Sequence, residues 1–171
     1  MKTANTDTLI RAGIGLLAAG LVVAIYAGIH ERVVVAGDTA PGFTIHADSG
    51  RTVTLPNFGG KLLVLNFWAT WCPPCVQETP SLSQFAAQYA PKGVTVLAVS
   101  VDRDVNAYNA FLQKFKPAFL TARDADLHAQ YGTFMYPETY IIDAQGKVLK
   151  KLAEPADWTS PEVTQYINSL L

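Results

Sequence analysis

The chain has 171 residues, which is enough for one ordinary domain and a short additional segment. Its formal net charge is −1, so the composition gives no indication of binding to nucleic acid or to an anionic membrane surface. The only two cysteines, Cys72 and Cys75, lie three positions apart, whereas a secreted domain stapled by disulfides uses more cysteines at wider spacing. The composition therefore excludes such a domain and favours a redox-active or metal-binding pair.

An uncharged apolar run occupies Ala12–Ile29 near the N-terminus. A helix of this length spans about 27 Å, which is close to the thickness of the hydrocarbon core of a bilayer. Arg11 precedes the run, and its long side chain can place its charge at the membrane interface. Tyr26 lies near the other end of the run, where aromatic side chains are favoured at the opposite interface. We therefore predict that residues 1–32 form a signal anchor with a single transmembrane helix.

Two other interpretations of this segment remain open. A buried core helix normally has a polar face, which this run lacks. A cleaved signal peptide has a shorter apolar region and a small-residue site, for which Val34–Ala36 is a passable candidate. Lys2 and Arg11 precede the run and His30–Arg32 follow it, so the difference in positive charge between its two ends is small. This difference favours an N-terminus in the cytoplasm. We expect an inner-membrane protein whose domain faces the periplasm or the outside.

A connector is predicted at residues 33–41, followed by one globular domain at 42–171. Turn residues at Asp48–Gly50 and Asp143–Gly146 each separate two short apolar runs, which is typical of a hairpin. Strands alternate with helices first, and a hairpin and a helix follow, so the fold class is α/β with a mixed sheet. The predicted strands are Phe43–His46, Thr52–Leu55, Leu62–Phe67, Val94–Val101, Ala118–Leu120, Thr139–Ile142 and Lys147–Leu152. The predicted helices are Cys72–Tyr89, Val105–Phe115 with Val105, Tyr108, Phe111, Leu112 and Phe115 on one face, Asp126–Tyr131, and Pro161–Leu171 capped by Ser160.

The sequence Trp71-Cys72-Pro73-Pro74-Cys75 follows a buried strand and opens a helix. Helix residues three apart share a face, so the two sulfur atoms can meet and form a disulfide. Cys72 lies at the helix N-terminus, where free amides favour a thiolate, and Cys75 lies one turn further in. We predict that Cys72 is the attacking nucleophile and that Cys75 resolves the mixed disulfide. Pro73 and Pro74 preset the first helical turn and donate no hydrogen bonds.

Two plainer roles for the cysteine pair are weaker. A structural metal site needs about four ligands, and His30, His46 and His128 are scattered along the chain. An inert disulfide across two residues closes too small a loop to stabilise a fold. We therefore expect a redox pair and neither a metal nor a cofactor.

The segment Asn66-Phe67-Trp68-Ala69-Thr70-Trp71-Cys72-Pro73-Pro74-Cys75 resembles the active-site segment of the TlpA/ResA-like family, which includes membrane-anchored reductases of cytochrome c maturation. The resemblance runs from about Ala40 to Lys151. It implies a thioredoxin fold with an N-terminal β-hairpin and an inserted strand–helix unit, which Gly93–Leu120 would supply. The other matching motifs are Pro41–Thr44, Gly60–Lys61 and Tyr136–Thr139.

The resemblance also implies three further features of the site. Pro137, in the motif that begins with Tyr136, aligns with the cis-proline that faces the active cysteines. Glu78 occupies a position where the family often has an acidic residue near the site, although an exposed helix glutamate is the plainer interpretation. Ordinary thioredoxins have a buried aspartate where Asn66 stands, and asparagine cannot accept a proton from Cys75. Acid–base help must then come from Glu78, from water or from the substrate.

The resemblance implies an extracytoplasmic thiol–disulfide oxidoreductase, most simply a protein-disulfide reductase. Its expected partners are a protein disulfide such as that of apocytochrome c, a membrane reductase that donates electrons, and the membrane itself, but not nucleic acid. A disulfide oxidase of the same fold is the main alternative, because direction depends on reduction potential and partners. A peroxidase would have one activated cysteine and no CxxC pair. A copper-binding module would need a supporting ligand, for which Met135 is the candidate.

Overall fold

The computed structural model describes the backbone of residues 3–29 and 33–171 and the side chains of residues 8–25 and 33–171. The chain forms two compact units, Met1–Arg32 and Val33–Leu171. Lys2, the Tyr26 side chain and His30–Arg32 lie outside the described residues. The predictions of membrane orientation and of an interfacial tyrosine that rest on them therefore remain predictions.

The first unit contains helix α1, Thr3–Ile29. Its most apolar window, Thr8–Ile25, has a mean hydropathy of 2.1, and none of that window is buried. A core helix of a soluble domain would bury one face, so its exposure argues against that alternative. The helix is long and apolar enough to cross a membrane.

The second unit is built on a five-stranded mixed sheet and a separate two-stranded hairpin. In the large sheet the order is β5-β4-β3-β6-β7, with β4 parallel to both β3 and β5, and β6 antiparallel to both β3 and β7. The strands are β1 Thr44–His46, β2 Thr52–Thr54, β3 Leu62–Trp68, β4 Val94–Ser100, β5 Leu120–Arg123, β6 Glu138–Asp143 and β7 Val148–Leu152. The helices are α2 Pro73–Tyr89, with a short 3₁₀ turn at Ala90–Lys92, α3 Val105–Phe115, α4 Leu127–Gln130 and α5 Pro161–Leu170.

The central strand β3 is buried along its whole length, as its continuous apolar sequence predicts. Leu63, Leu65 and Phe67 join a core on one face of the sheet, which also includes the hairpin. Leu62 and Val64 join a core on the other face, with residues of α2 and α5. Because both faces are covered, the strand is a rigid base for the loop that follows it.

The N-terminal hairpin is joined to the rest of the domain through its turn. Strands β1 and β2 pair antiparallel, with Ile45 opposite Val53. The turn residue Asp48 accepts hydrogen bonds from the hydroxyls of Tyr108 on α3, at 2.5 Å, and Thr121 on β5, at 2.7 Å. The hairpin is therefore an integral part of the α/β layer.

Most predicted elements are confirmed to within one or two residues, and two details are wrong. Strand β5 begins at Leu120, where a strand over Ala118–Leu120 was expected, because the register with β4 pairs Leu97 with Leu120. The Ala118 N–H donates to Ser83 Oγ at 2.8 Å and not to a strand. Val105, expected on the buried face of α3, is exposed at the start of that helix, whereas Tyr108 on the same face is buried.

The predicted connector, residues 33–41, is hydrogen-bonded to the second unit. The Gly37 N–H donates to the Val148 carbonyl, and the Ala40 N–H donates to the Gly146 carbonyl, each at 2.8 Å. Val34 and Ala40 are buried in the core beside the hairpin. In the structure this segment therefore packs as part of the globular unit.

Candidate active site

Cys72 and Cys75 form a disulfide at the N-terminus of α2. The Cα atoms are 5.3 Å apart and the sulfur atoms 2.10 Å apart. Cys72 is the N-cap residue, and the Cys75 N–H points at its Sγ atom at 3.3 Å. Cys75 is 1% exposed and Cys72 is 5% exposed. An amide directed at the Cys72 sulfur stabilises a thiolate there once the pair is reduced.

Pro73 and Pro74 supply the first two residues of α2. Because proline has no N–H, neither can direct an amide at the Cys72 sulfur. The first amide of the helix proper is that of Cys75, which bonds to Cys72 Sγ as described above. The two prolines fix the geometry of the turn and leave this amide as the donor.

The loop between β3 and Cys72 is held by a buried aspartate that the sequence did not reveal. Asp102, directly beyond β4, accepts hydrogen bonds from the Thr70 N–H at 2.9 Å, the Thr70 hydroxyl at 2.8 Å and the Ser100 hydroxyl at 2.6 Å. Its place at the carboxyl end of a buried parallel strand, next to the end of β3, is the signal that could have indicated it.

The loop before β6 faces the outer cysteine. The Tyr136–Pro137 peptide bond is cis, as the resemblance implies. Cys72 Sγ lies 3.4 Å from the Tyr136 carbonyl oxygen. The next residue, Glu138, is buried, and its carboxylate contacts Lys151 Nζ at 3.1 Å and accepts a hydrogen bond from the Tyr140 hydroxyl. This network fixes the strand that presents Pro137.

Exposed apolar side chains belong to the same loops, and we call Trp71, Phe134 and Met135 the apolar rim. Trp71 is 64% exposed and Met135 is 71% exposed. The Trp71 ring meets the edge of the Tyr136 ring, with centroids 5.8 Å apart. Single exposed apolar residues are common, but three on the two loops that hold Cys72 and Pro137 indicate a contact surface.

Glu78 is buried, so its interpretation as an exposed helix residue is wrong. It is 6% exposed and follows Cys75 by three residues, on the same side of α2. Its Oε1 atom accepts a hydrogen bond from Asn66 Nδ2 at 3.0 Å, and its Oε2 atom accepts one from the Ala156 N–H at 3.1 Å. Asn66 also donates to the Thr139 hydroxyl at 2.9 Å.

The family follows from comparisons with known proteins. Residues 35–170 match the model of the Redoxin family. A thiol-disulfide oxidoreductase ResA of Geobacillus thermodenitrificans (strain NG80-2) is 34% identical over 160 residues, which are 91% of this chain and 90% of that protein. The chain belongs to the ResA-like thiol–disulfide oxidoreductases.

Two further relatives agree with this ResA-like assignment. The thioredoxin-like protein YneN of Bacillus subtilis (strain 168) is 36% identical over 116 residues, covering 66% of this chain and 68% of that protein. The crystal structure of a thiol:disulfide interchange protein DsbE from Chlorobium tepidum superposes with a TM-score of 0.72 at 31% identity, covering 81% of this chain and 98% of that one. The ResA-like chain therefore has a thioredoxin fold and is a thiol–disulfide oxidoreductase that acts on protein disulfides.

Burial raises the pKa of Glu78 in this ResA-like site from 4.5 to about 7. Hydrogen bonds from the Ala156 N–H and the Asn66 amide lower this pKa but do not outweigh burial. The Trp158 indole N–H faces the same carboxyl and lowers its pKa slightly, although its geometry does not complete a hydrogen bond. Glu78 can therefore exchange a proton near neutral pH.

A surface cavity of about 430 Å³ lies next to Glu78 in the ResA-like domain. Pro74 and Gln77 of α2 form one wall, and Pro155 and Asp157 form another. Glu78 itself is one of the residues that line the cavity. In the part of the chain that the structure describes, no group of three or more His, Cys, Asp or Glu side chains could hold a metal ion.

Sequence reasoning about this ResA-like protein missed the partners of Glu78. Asn66 was recognised only as a residue unable to accept a proton, whereas it donates to the carboxyl. Ala156 lies 78 residues further along the chain and contributes through its backbone, which leaves no signal in the sequence.

Proposed function

We propose that this ResA-like protein reduces protein disulfides on the outer side of the cytoplasmic membrane, with apocytochrome c as substrate and a membrane reductase as electron donor. The observation that carries the proposal is the Cys72–Cys75 pair at a helix N-terminus, with the buried Glu78 three residues after Cys75 on the same helix. Helix α1 would anchor the domain beside a membrane donor. The basic residues that precede the apolar run support an outward-facing domain.

The proposed reaction begins from the reduced pair. The Cys72 thiolate attacks one sulfur of the substrate disulfide, forms a mixed disulfide and releases the other substrate sulfur as a thiolate, which takes up a proton. The Cys75 thiolate then attacks Cys72 Sγ and releases the second substrate thiolate. Two electrons pass to the substrate, and the Cys72–Cys75 disulfide seen in the structure is the product state. The membrane donor restores the dithiol.

The second step requires Cys75 to lose its proton. Cys75 is buried, and burial disfavours a thiolate. We propose that Glu78 accepts this proton, because its pKa of about 7 matches exchange near neutral pH. The proton then leaves through the cavity beside Glu78. Pro137 would hold the substrate strand against Cys72, with Trp71 and Tyr136 at the edge of the contact.

The direction is tested by the reduction potential of the Cys72–Cys75 couple, measured in glutathione or dithiothreitol buffers. We expect a value nearer that of thioredoxin, about −270 mV, than that of a strong periplasmic oxidant, about −120 mV. A value at the oxidising end would favour a disulfide oxidase.

The copper alternative is tested in the same preparation by measuring whether the reduced domain binds one equivalent of Cu(I).

The substrate is tested with an oxidised peptide that carries the Cys-x-x-Cys-His haem-attachment sequence. We expect the reduced protein to reduce this peptide faster than an unrelated cystine peptide of the same charge. Equal rates would overturn the apocytochrome proposal and leave the reductase activity standing.

The location is tested on membranes. Carbonate should fail to extract the protein, and protease added outside should digest its domain. A soluble form that starts near Gly37 would identify a cleaved signal instead.

A further inference from the structure

The loop between β7 and α5 packs directly on the helix that carries the cysteines. Its residues Pro155–Trp158, which we call the clamp segment, reach Glu78 by two separate routes. The Ala156 N–H donates to Glu78 Oε2 at 3.1 Å. The Trp158 N–H donates to Ser81 Oγ at 3.3 Å, and Ser81 Oγ donates to the Glu78 carbonyl at 2.9 Å. The clamp segment therefore contacts both the side chain and the backbone of this residue.

The clamp segment is itself anchored. The Trp158 side chain is fully buried against Phe85 of α2, with ring centroids 5.2 Å apart. Beyond it, the Ser160 N–H donates to the Asp157 carbonyl at 3.1 Å, and Ser160 caps α5. A fully buried tryptophan makes extensive contacts with the core, so core packing holds the segment in place.

The clamp segment and the sheet bond to different oxygen atoms of the Glu78 carboxyl. Asn66 on β3 donates to Oε1, whereas Ala156 donates to Oε2. Each carboxyl oxygen thus has its own donor, and one of these donors is a backbone amide, which every substitution except proline keeps. Two donors of this kind fix the carboxyl in position and favour its charged form.

We propose that the clamp segment is a positioning element of the redox site, which holds Glu78 in place for proton exchange through the Ala156 N–H. This proposal rests on the function proposed for Glu78. The clamp lies beyond the CxxC and cis-proline motifs, and it joins the C-terminal part of the domain to the proton chemistry of Cys75.

The charges around Glu78 are few. On α2, Cys75 is bonded to Cys72 in the oxidised protein and does not titrate, and Asn66 on β3 and Thr139 on β6 are neutral. On the clamp segment, Asp157 lines the same cavity, and hydrogen bonds from the side chain and the backbone of Thr159 lower its pKa. Asp157 is therefore already charged when Glu78 titrates, so a titration near neutral pH belongs to Glu78.

The first experiment follows backbone amides by NMR in the full-length, ¹⁵N-labelled oxidised protein in detergent micelles. The Ala156 amide should shift with a midpoint near pH 7, and this titration should disappear in Glu78→Gln. The Thr159 N–H, which donates to Asp157 Oδ1 at 2.9 Å, is the internal control and should keep its titration in that variant. An Ala156 amide that does not titrate near pH 7, or that still does so in Glu78→Gln, would overturn the proposal.

The second experiment removes the donor itself. Ala156→Pro deletes the N–H, and we expect the Glu78 midpoint, read from its carboxyl carbon, to rise by about one pH unit. Ala156→Ser keeps the N–H and should keep the midpoint. In Ala156→Pro, the pH–rate profile of disulfide reduction should shift to higher pH together with the Glu78 midpoint. An unmoved midpoint in a folded Ala156→Pro, checked by circular dichroism, would contradict the clamp.

The two proposals fail in different ways. In one outcome, the chemical shift of the Ala156 amide follows the titration of Glu78, but Glu78→Gln reduces disulfides at the normal rate at every pH. The proton role of Glu78 is then wrong, and the contact with the clamp segment stands. If Glu78→Gln changes the rate but the Ala156 amide ignores Glu78, the proton role stands and the clamp is wrong.

Discussion

Two cysteines three residues apart lie in very different surroundings. Cys72 lies at the helix end, close to the Tyr136 carbonyl and beside the exposed rings and thioether of the apolar rim. Cys75 lies one turn deeper, three residues before Glu78, whose hydrogen-bond donors come from β3 and from the clamp segment. The outer half of the site presents contact surface, and the inner half presents bonded polar groups.

This difference indicates a division of labour along one helical turn. We propose that the outer half, where apolar surface is available, binds the substrate and supplies the attacking nucleophile. We propose that the inner half exchanges the proton, because burial there raises the pKa of Glu78 to about 7. Changes to one half should therefore leave the property supplied by the other half intact.

The largest expected effect separates the two sulfur atoms. Cys72→Ser should abolish disulfide exchange, because the outer nucleophile is lost. In Cys75→Ser, Cys72 should still attack the substrate, but the mixed disulfide between Cys72 and the substrate should accumulate. Mass spectrometry of the trapped complex would identify this bond. A substrate trapped through Cys75 in the Cys72→Ser protein would reverse the assignment.

Glu78→Gln should slow turnover by about a hundredfold near pH 7, because proton transfer by a positioned group contributes at least this much. The pH–rate profile should lose one ionisation near pH 7. Binding of the substrate peptide, measured as the mixed disulfide trapped in the Cys75→Ser background, should be unchanged. An unaltered pH–rate profile would indicate that water or the substrate, and not Glu78, accepts the proton of Cys75.

Glu78 should also make the folded state more stable at acid pH. Its pKa in the folded protein, about 7, lies above the ordinary 4.5, so the folded state keeps a proton that the unfolded state releases. The resulting stability is present below about pH 4.5 and is lost as pH rises to about 7, by up to about 3 kcal/mol. Urea unfolding of the oxidised protein between pH 4 and 8 should show this decline, and Glu78→Gln should flatten it.

The apolar rim should give the smallest effect. Met135→Ser removes exposed apolar surface that a substrate would cover, and we expect KM for a protein disulfide to rise about three- to tenfold with kcat unchanged. Val35→Ser, which changes an exposed apolar residue outside the rim, is the matched control and should leave KM unaltered. A change in kcat alone for Met135→Ser would assign this residue to the chemistry and not to the contact.

Much of the fold and the outer half of the site could be predicted from the sequence. The unbroken apolar runs predicted β3 and β4, and the Cys-Pro-Pro-Cys spacing predicted the disulfide at the start of α2. These features depend on local periodicity and on the geometry of one helical turn. The start of β5 did not follow from its own residues, because pairing with β4 decides it.

The inner half of the site could be predicted only in part. The position of Glu78 indicated a residue close to Cys75, but its burial depends on the clamp segment, which is remote in sequence. A backbone donor such as the Ala156 N–H is present at every residue except proline, so no residue type indicates it. Asp102 was missed because its partner Thr70 lies on another loop, although its place at the carboxyl end of a buried parallel strand could have indicated it.

The bonds from Thr70 to Asp102 have a consequence for the choice of substrate. They fasten the loop before Cys72 to the end of β4, and the Cys72 side chain is only 5% exposed. Because the loop is fastened in this way and Cys72 is buried, we expect that a substrate disulfide has to approach the sulfur closely along the line of attack. A cystine in a rigid folded domain has little freedom to do so, whereas one in a loosely ordered polypeptide can adapt its conformation to the site. The enzyme should therefore discriminate by the mobility of the target, reducing unfolded chains and sparing finished proteins whose cystines are equally accessible to a small thiol.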